Sequence, residues 1–391
     1  MTNNVLSLAI IGAGIGGLAV AALLQRQGHT VRVYEQASAF ARVGAGIQMA
    51  PNAVKVLRAL GVEDYLRRTA FRSARAVSRV WDSGVVTSDL PLGDTVEEKF
   101  GAPYFFLHRA DLHGAIASAV PSRVIELNRK LVALEQGANA VWLKFADGTY
   151  ATADAVIAAD GVHSLVRELL LGPEHAHFTG KVAYRTTFKA ERMKGVHVPT
   201  LRTKWWGADR HMVIYPVTAG GDEIYFVTSQ PEKAQWRTAE SWSAKGDLDE
   251  LRASFAGFHP EVQAVLNAAT EIHKWALFER DPLPSWGEGR VVLLGDACHP
   301  MTPYMAQGAA SALEDAAMLS RCLEGVDAGG VAGAFKRYEA TRKPRTSKIQ
   351  TQSSKNTWLK SDLKGDLNGE LKGETDPAWV YGYDACIAPL A

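Results

Sequence analysis

The chain has 391 residues, of which 47% are hydrophobic and 22% charged. This length allows two domains, and the composition argues against a disordered, fibrous or coiled-coil protein. Lysine and arginine number 43 against 42 acidic residues, so a net charge of +1 gives no general attraction to nucleic acid or to an anionic membrane. The three cysteines, Cys298, Cys322 and Cys386, do not suggest a disulfide framework or a zinc site, which favours a reducing, cytoplasmic location.

The first predicted element lies in an apolar run over residues 5–24 that is long enough to span a membrane. The preceding residues, MTNN, contain no basic side chain, and the run continues into a sequence without a cleavage region. A signal peptide or an anchor is therefore disfavoured. A buried strand followed by a glycine turn and a helix is the better interpretation.

The glycine turn has the GxGxxG pattern, formed by Gly12, Gly14, Gly16 and Gly17. A strand over residues 5–11, a helix over 18–27 and a second strand over 30–35 predict a βαβ unit that ends on the acid Glu35. Such a turn brings backbone N–H groups close to a pyrophosphate, and the acid accepts hydrogen bonds from ribose hydroxyls. The alternative is a glycine turn that binds no ligand.

Two later strands end in the same kind of pair. Residues 150–161 end on Asp160 and Gly161, and residues 290–296 end on Gly295 and Asp296. Taken alone, either aspartate is as well explained as the N-cap of a helix. Strand-like segments between residues 180 and 276 predict an inserted, mostly antiparallel second domain, and residues 360–374 predict an exposed charged loop.

Three separated segments together resemble the fingerprints of the single-component flavoprotein aromatic hydroxylases. They are the GxGxxG turn with Glu35, the DGxxSxxR segment from Asp160 to Arg167, and the GDAxHP segment from Gly295 to Pro300. Residues 42–47 and 108–112 extend the resemblance. Within the family, residues 204–211, 296–301, 305–308 and 376–383 are most similar to the enzymes that hydroxylate 6-hydroxynicotinate, which are related to salicylate hydroxylases.

The resemblance implies an α/β fold with a Rossmann-like FAD-binding domain and an inserted, mostly antiparallel β-sheet substrate domain. We expect the FAD-binding domain over residues 1–72, 104–178 and 277–350, and the substrate domain over 73–103 and 179–276. Residues 351–391 are expected to form a C-terminal extension. The chain has no second GxGxxG, so a separate nicotinamide domain is not expected.

The implied cofactor is tightly bound FAD. Arg109 would neutralise charge near the phosphates, Asp296 would hold a ribityl hydroxyl, and a helix N-terminus after Pro303 would face the flavin ring. Taken alone, Arg109 is as well explained as a surface residue. The expected FAD-binding residues are Gly12, Gly14, Gly16, Gly17, Glu35, Gln36, Arg42, Arg109, Leu131, Asp160, Asp296, Gly308 and Ala309.

The implied reaction uses NADH and O2 and proceeds through a flavin C4a-hydroperoxide, with a small hydroxypyridine carboxylate as substrate. Decarboxylation accompanies hydroxylation if the attacked ring carbon carries the carboxylate. The sequence leaves open whether NADPH replaces NADH, and it leaves the oligomeric state open, a homodimer included.

The implied catalytic residues are His211, Tyr215 and Gln48, and the implied substrate-binding residues are Arg202, Trp205 and Tyr304. Three of them depart from the 6-hydroxynicotinate enzymes. Gln48 and Tyr304 stand where those enzymes have histidines, and Arg202 replaces an uncharged residue. The additional arginine keeps a 6-hydroxypicolinate or salicylate type of substrate open.

Several other interpretations also stay open. His211, Tyr215 and the tryptophans are explained equally by core packing. Cys298 and His299 are adjacent but have no further ligands at suitable spacing, so no metal is expected. The rival functions are a salicylate or hydroxybenzoate hydroxylase, a flavin oxidase or dehydrogenase, and a dinucleotide-binding protein without enzymatic activity.

Overall fold

The computed structural model describes residues 4–41, 45–173, 176–193, 200–232, 244–357 and 376–391. Arg42 and the predicted loop over residues 360–374 lie outside the described residues. Within the described part, the strands are β1 (Ser7–Ile11), β2 (Thr30–Tyr34), β3 (Gly46–Met49), β4 (Arg75–Val80), β5 (Val86–Pro91), β6 (Phe105–His108), β7 (Ile125–Glu126), β8 (Leu131–Gln136), β9 (Val141–Phe145), β10 (Tyr150–Ala153), β11 (Ala155–Ala158), β12 (His177–Lys189), β13 (Arg202–Trp206), β14 (His211–Pro216), β15 (Glu223–Pro231), β16 (His273–Glu279), β17 (Gly287–Glu288) and β18 (Val291–Leu293).

The α-helices of the same residues are α1 (Ile15–Arg26), α2 (Pro51–Ala59), α3 (Glu63–Thr69), α4 (Gly93–Phe100), α5 (Arg109–Ser118), α6 (Leu165–Leu171), α7 (Leu248–Ser254), α8 (Pro260–Ala268), α9 (Gly308–Cys322), α10 (Val331–Ser354) and α11 (Pro377–Tyr381). Two short 3₁₀ turns, Gly295–Ala297 and Pro303–Met305, come between β18 and α9. None of the helices in the described part combines the length and the apolar character that crossing a bilayer requires.

The first sheet has six strands in the order β17-β18-β11-β1-β2-β7. Its strands are parallel except for the edge strand β17. Strands β11 and β18 are buried along their whole length, as expected for a parallel sheet whose two faces are covered. The carboxyl ends of β1, β2, β11 and β18 lie at one edge of this sheet, which is where ligands bind in open α/β sheets.

The second large sheet has seven strands in the order β16-β12-β15-β14-β13-β4-β5. All neighbouring pairs are antiparallel except β13 with β4. One face packs on α7 and α8 and buries an apolar core there. The other face packs on Phe106, Met305 and Tyr381, which belong to elements outside the sheet. A site on this face is thus enclosed between the seven-stranded sheet and these elements.

The architecture confirms the predicted fold class, an α/β nucleotide-binding sheet combined with a mostly antiparallel sheet. The six-stranded sheet takes its strands from residues 7–34, 125–158 and 287–293, and the seven-stranded sheet takes its strands from residues 75–91 and 177–279. The exact domain boundaries stay a prediction.

Candidate active site

The turn between β1 and α1 combines tight packing with one open position. Gly12 has a φ of +99°, and a Cβ there would lie 2.4 Å from a backbone carbonyl oxygen, so only glycine fits. Gly17 packs against the Gly12 carbonyl and Gly16 packs against Leu294. Gly14, in contrast, is exposed, and no described atom lies within 4 Å of a Cβ placed on it. The start of α1 is therefore open to an anionic group.

Glu35 follows β2 and reaches back to the same turn. Its Oε2 accepts a hydrogen bond from Ala13 N at 2.8 Å, and its Oε1 accepts one from Ala37 N at 2.8 Å. Each carboxylate oxygen keeps a further lone pair, so a ribose hydroxyl can still donate to it. Gln36 is exposed beside it. Leu131 begins β8, and the backbone N–H of Arg129, two residues earlier, donates to the Glu35 carbonyl oxygen. These placements are compatible with the adenosine half of a dinucleotide.

Two arginines, Arg109 and Arg185, lie close enough for their charges to interact. Arg109 is exposed at the first position of α5, and its backbone N–H donates to Ala45 O at 2.8 Å. Arg185, on β12, is buried with its guanidinium 4.5 Å from the Trp275 ring centroid. Burial and, to a lesser degree, the charge of Arg109 lower the pKa of Arg185. An anion beside two positive charges would be stabilised by both.

Asp160 helps to cap α6, whose N-cap residue is Ser164. Its Oδ1 accepts from Ser164 Oγ at 2.6 Å and its Oδ2 accepts from Val166 N at 3.2 Å, at the start of α6. Burial raises the pKa of Asp160. Arg167 of the same segment donates to Ala297 O at 2.9 Å and so joins the β11 turn to the β18 turn. Asp160 and Arg167 thus shape the sheet edge, and a direct contact of Asp160 with FAD stays a prediction.

Asp296 lies at the start of α9, the longest helix that begins at this edge. Its Oδ1 lies 3.8 Å from the position a Cβ on Gly308 would take, and both Gly308 and Ala309 are half-buried. The first turn of α9 carries no acidic residue. Gln307, just before it, is buried, and its Nε2 has no hydrogen-bond partner in the described part of the chain.

These features fit FAD. The open turn at Gly14 suits a pyrophosphate, and the Asp296 carboxylate suits a ribityl hydroxyl. The positive end of α9 and the Gln307 Nε2, which has no hydrogen-bond partner among the described residues, suit the polar edge of a flavin ring. The assignment of each residue to a cofactor atom stays a prediction.

A buried acid holds the β18 turn in place. Asp315 Oδ2 lies 2.5 Å from His299 Nε2 and accepts from Gly295 N at 3.2 Å, while its Oδ1 accepts from Arg342 Nε at 2.8 Å. Cys298, His299 and Asp315 bring three potential metal ligands within 4.8 Å. Both Asp315 oxygens are already bound, and one of them is bound by a guanidinium. This arrangement supports a structural role, and the expectation that no metal binds stays a prediction.

A cavity lies between the seven-stranded sheet, strands β3 and β6, the 303–306 turn and α11. Its lining combines apolar walls with polar groups at both ends: Gln48, Ala76, Leu90, Leu92, Tyr104, Phe106, Arg202, Lys204, His211, Val213, Val227, Thr228, Ser229, Pro303, Tyr304, Met305, Ala306 and Tyr381. Because Ala306 leads directly into Gln307 and α9, the cavity adjoins the predicted flavin position. A small ring bound here would lie next to the flavin.

Strand β13 presents alternate side chains to this cavity. Arg202 and Lys204 line it, and the Trp206 ring on the same side lies 5.0 Å from the His211 ring. Trp205 points the other way, is fully buried, and stacks on His259 at 4.8 Å. The prediction that Trp205 contacts substrate is therefore wrong, because the strand period of two turns it into the core on the far side of the sheet.

The cavity is cationic. Arg202 is 5% exposed, and its Nη1 has no hydrogen-bond partner among the described residues. Lys204 is 2% exposed, with its Nζ 3.7 Å from the Trp206 ring centroid. No aspartate or glutamate of the described chain lines the cavity. A buried guanidinium nitrogen without a hydrogen-bond partner is costly, so the Arg202 end of the cavity is suited to an anion.

Neutral hydroxyl groups surround Arg202. Tyr104 donates to Gln48 Oε1 at 3.0 Å, and burial raises the pKa of Tyr104 to about 12. Burial also raises the pKa of Tyr215, which lies against Gln48, well above its ordinary value, and it raises that of Tyr381. These tyrosines stay protonated at neutral pH, and Gln48 has no titratable group. The side chains around Arg202 are therefore uncharged at neutral pH, and their roles toward a substrate stay a prediction.

His211 occupies the other end. It is 5% exposed, and its ring lies between the rings of Trp206 and Tyr304, at 5.0 and 5.7 Å. Tyr304 is itself fixed by a 2.9 Å hydrogen bond between its hydroxyl and Ser229 Oγ. Of the described residues that line the cavity, His211 is the one imidazole. Imidazole is the side chain best suited to accept a proton near neutral pH.

Sequence reasoning missed several lining residues. Lys204 stood in a segment that carried the resemblance, and its spacing of two residues from Arg202 in a strand was the signal that could have found it. Tyr104 and Tyr381 come from distant parts of the chain, where no local pattern marks them. Arg185, which lies outside the cavity lining, was a single arginine in a strand and gave no signal of its own.

A dinucleotide-binding sheet edge beside an enclosed cationic cavity defines an FAD-dependent monooxygenase of aromatic compounds. The chain belongs to the family described as "FAD binding domain", whose match covers residues 5–353. It is 46% identical over 383 residues to 6-hydroxynicotinate 3-monooxygenase of Bordetella bronchiseptica, covering 98% of this chain and 96% of that protein. It is 45% identical over 384 residues to the enzyme of the same name from Pseudomonas fluorescens, with the same shares covered.

A solved structure supports the fold assignment. A salicylate hydroxylase in complex with substrate matches the chain with a TM-score of 0.84 at 26% identity, covering 98% of this chain and 97% of that one. The resemblance to flavoprotein aromatic hydroxylases and the prediction of FAD as cofactor are thereby confirmed.

Proposed function

We propose that the protein hydroxylates a hydroxypyridine carboxylate of the 6-hydroxynicotinate or 6-hydroxypicolinate type, with NADH and O2 as co-substrates and with loss of CO2. The observation that carries the proposal is the cavity beside α9, with two buried cations and no acid among its described lining residues. The similarity to two 6-hydroxynicotinate 3-monooxygenases supports it.

When bound, FAD supplies the redox chemistry, in which electrons from NADH allow one oxygen atom of O2 to be transferred to the ring. The chain's own residues prepare the ring. Arg202 binds the substrate carboxylate through its unpaired Nη1, and Gln48 orients the ring by hydrogen bonding. His211 accepts the proton of the ring hydroxyl, which makes the ring carbon electron-rich. The apolar walls, Phe106 and Met305 among them, exclude water.

Loss of CO2 depends on which carbon is hydroxylated. Where that carbon carries the carboxylate, the carbon–carbon bond breaks, its electron pair returns to the ring and CO2 leaves. The same cavity also fits a salicylate-type substrate, which the similarity to a salicylate hydroxylase favours as the second candidate.

A substrate panel tests the proposal. The purified holoenzyme is given 6-hydroxynicotinate, 6-hydroxypicolinate, salicylate or 2-hydroxypyridine, with substrate-stimulated NADH oxidation and product mass as readouts. We expect one hydroxypyridine carboxylate to give the highest rate and a product that has gained one hydroxyl group and lost CO2. A hydroxylated product from salicylate alone would favour the second candidate, and NADH oxidation without any hydroxylated product would indicate an oxidase.

Arg202→Met tests the anion site directly. Removing one partner of a buried charge pair costs about 2–5 kcal/mol. We therefore expect the dissociation constant of the carboxylate substrate to rise by the factor that corresponds to this free energy. The dissociation constant of 2-hydroxypyridine, which has no carboxylate, should change little. Equal losses for both ligands would show that Arg202 supports the fold and does not recognise the carboxylate.

A further inference from the structure

The geometry points to His113 as a positioning residue for the FAD pyrophosphate, which acts by fixing the orientation of one peptide group in the glycine turn. The N–H group of that peptide, and not the imidazole, would donate to a phosphate oxygen. This inference goes beyond the proposed function, because it concerns how the chain holds its cofactor and does not depend on the substrate.

The His113 imidazole reaches from α5 to the glycine turn. Its Nε2 lies 2.7 Å from Ala13 O, and a carbonyl oxygen can only accept a hydrogen bond. The imidazole therefore donates from Nε2, and it does so whether or not Nδ1 also carries a proton. One hundred positions in the chain separate the two partners, so the bond forms only where α5 packs against the turn.

The bond to Ala13 O determines the direction of the next N–H group. Ala13 O and the Gly14 N–H belong to one peptide group, and the described part of the chain contains no cis peptide bond. In a planar trans peptide, the C=O and N–H bonds point to opposite sides. Because His113 holds the carbonyl oxygen on one side, the Gly14 N–H is directed to the other.

Gly14 is the open position of this turn. It is the N-cap of α1, it is exposed, and no described atom lies within 4 Å of a Cβ placed on it. Its N–H has no hydrogen-bond partner among the described residues, and the first turn of α1 carries no acidic side chain. This N–H group is therefore available to a phosphate oxygen at the positive end of α1.

Glu35 fixes the preceding peptide group in the same way. Its Oε2 accepts from Ala13 N at 2.8 Å, and Gly12 N donates to Tyr34 O at 2.8 Å. The peptide groups on the two sides of Ala13 are thus held by side chains from different elements, Glu35 after β2 and His113 in α5. A turn that is already fixed loses less conformational freedom when a ligand binds, which favours affinity.

The surroundings of His113 support this role. Arg109 and His113 are four residues apart in α5 and so lie on one face of the helix, which His113 directs toward the glycine turn. The expected position of Arg109 near the phosphates agrees with this orientation. The Phe40 ring packs edge-on against the imidazole, with the ring centroids 4.6 Å apart, and restricts its rotation.

The test measures FAD binding without NADH or substrate. The holoenzyme is diluted, and the rise in flavin fluorescence gives the dissociation constant of FAD, while phosphorus-31 NMR of the holoenzyme reports the surroundings of the two phosphates. His113→Leu removes the donor to Ala13 O. We expect the dissociation constant of FAD to rise by about 2- to 10-fold, as for one lost hydrogen bond, and the phosphorus resonances to shift. The absorption spectrum of the bound flavin ring should stay that of the wild type.

Three further variants make the outcome specific. His113→Gln keeps an N–H donor at a similar reach and should restore both the dissociation constant and the phosphorus resonances. His113→Asn keeps a polar side chain that is too short to reach Ala13 O, so it should behave like His113→Leu and covers the case in which His113→Leu fails to fold. Ser118→Ala removes a hydrogen bond to Ala115 O elsewhere in α5 and should change neither readout.

An unchanged dissociation constant in His113→Leu or His113→Asn would overturn the inference. A higher dissociation constant with unchanged phosphorus resonances would overturn it as well, because it would show a general structural role of His113, and so would a His113→Gln variant that restores neither readout. If the phosphorus resonances shift as expected but the substrate panel yields no hydroxylated product, the proposed reaction fails while the role of His113 stands.

Discussion

The two aspartates at equivalent strand ends, Asp160 and Asp296, have different contacts. Asp160 uses both carboxylate oxygens within its own segment, where it accepts from Ser164 and Val166 at the start of α6. Asp296 is half-buried beside Gly308, at the start of the helix that faces the predicted flavin. The sequence pattern treats the two as alike, whereas their hydrogen bonds separate a helix cap from a candidate cofactor ligand.

This difference predicts that one variant loses affinity for FAD and the other loses stability. Asp296→Ala should weaken FAD binding by about 1.5–3 kcal/mol, the contribution of a hydrogen bond to a charged group, which corresponds to about a 10- to 100-fold higher dissociation constant. Asp160→Ala should cost about 0.5–1.5 kcal/mol of stability for each of the two hydrogen bonds that it removes at the start of α6. Flavin fluorescence titration measures the first and urea unfolding the second. Wild-type FAD affinity in Asp296→Ala would contradict its role as a ribityl ligand.

At the scale of elements, α9 and α10 are joined by a buried ion cluster. Glu314 Oε2 lies 2.8 Å from Arg342 Nη1 and 2.9 Å from Arg345 Nε, and its Oε1 accepts from Asn52 Nδ2 at 2.6 Å. Asn52 also donates to Gln307 Oε1 at 2.9 Å. The cluster therefore fixes the residue from which α9 starts, and with it the helix end predicted to face the flavin.

Glu314→Gln tests this cluster. Removing the charge leaves two buried guanidinium groups under-compensated, so we expect a loss of about 3–5 kcal/mol in the free energy of unfolding. The matched control is Glu339→Gln in α10, which breaks a partly exposed pair with Lys343 and should cost about 1 kcal/mol or less. Equal urea midpoints for the two variants would contradict a stabilising role for the cluster.

The same cluster has a predicted pH dependence. Burial by itself raises the pKa of Glu314, but Arg345 and Arg342 outweigh it and hold the pKa below its ordinary value. The pKa of Asp315 is also held below its ordinary value, because His299 and Arg342 outweigh the effect of burial. A carboxyl with a lowered folded-state pKa contributes stability above its unfolded pKa of about 4, and that stability is lost as the pH falls below it. Glu314→Gln should therefore lose less stability than the wild type between about pH 4 and pH 2.

An element can be predicted from the sequence when the residues that determine it lie close together in the chain. The glycine turn, Glu35 and the two strand-end aspartates follow from local periodicity, because the carboxyl ends of parallel strands meet at one edge. Residues 202–206 were not predicted as a strand, so the two faces of β13 were not distinguished. Trp205 was assigned to the cavity for this reason, although Trp206 lies on that side.

At the scale of the whole molecule, the cavity is assembled from residues between Gln48 and Tyr381. Its lining comes from β3, β6, the seven-stranded sheet, the 303–306 turn and α11, and only tertiary packing brings these together. The C-terminal segment is held by side chains of the FAD-binding part. Arg345 donates to the carbonyl oxygens of Trp379 and Val380 at 3.1 and 3.0 Å, and Lys55 Nζ donates to Gly382 O at 3.0 Å.

We therefore expect the docked C-terminal segment to affect what share of the NADH consumed leads to oxygen transfer to the substrate. Tyr381 is 3% exposed and forms one wall of the cavity, so Tyr381→Ala should admit water beside the flavin. We expect FAD to stay bound, stability to fall by about 3–5 kcal/mol as for other large buried aromatics, and a larger share of NADH oxidation to yield hydrogen peroxide in place of hydroxylated product. The ratio of product to NADH consumed measures this coupling.

Tyr383→Ala is the matched control, because Tyr383 packs on the Arg345 guanidinium at 3.9 Å and does not line the cavity. It should lower stability while leaving the product ratio close to that of the wild type. A deletion of residues 376–391 should reproduce the loss of coupling seen in Tyr381→Ala, since it removes the same wall together with its anchors. If the deletion and Tyr381→Ala both kept the wild-type ratio, the cavity would be closed by other residues and the C-terminal segment would serve stability alone.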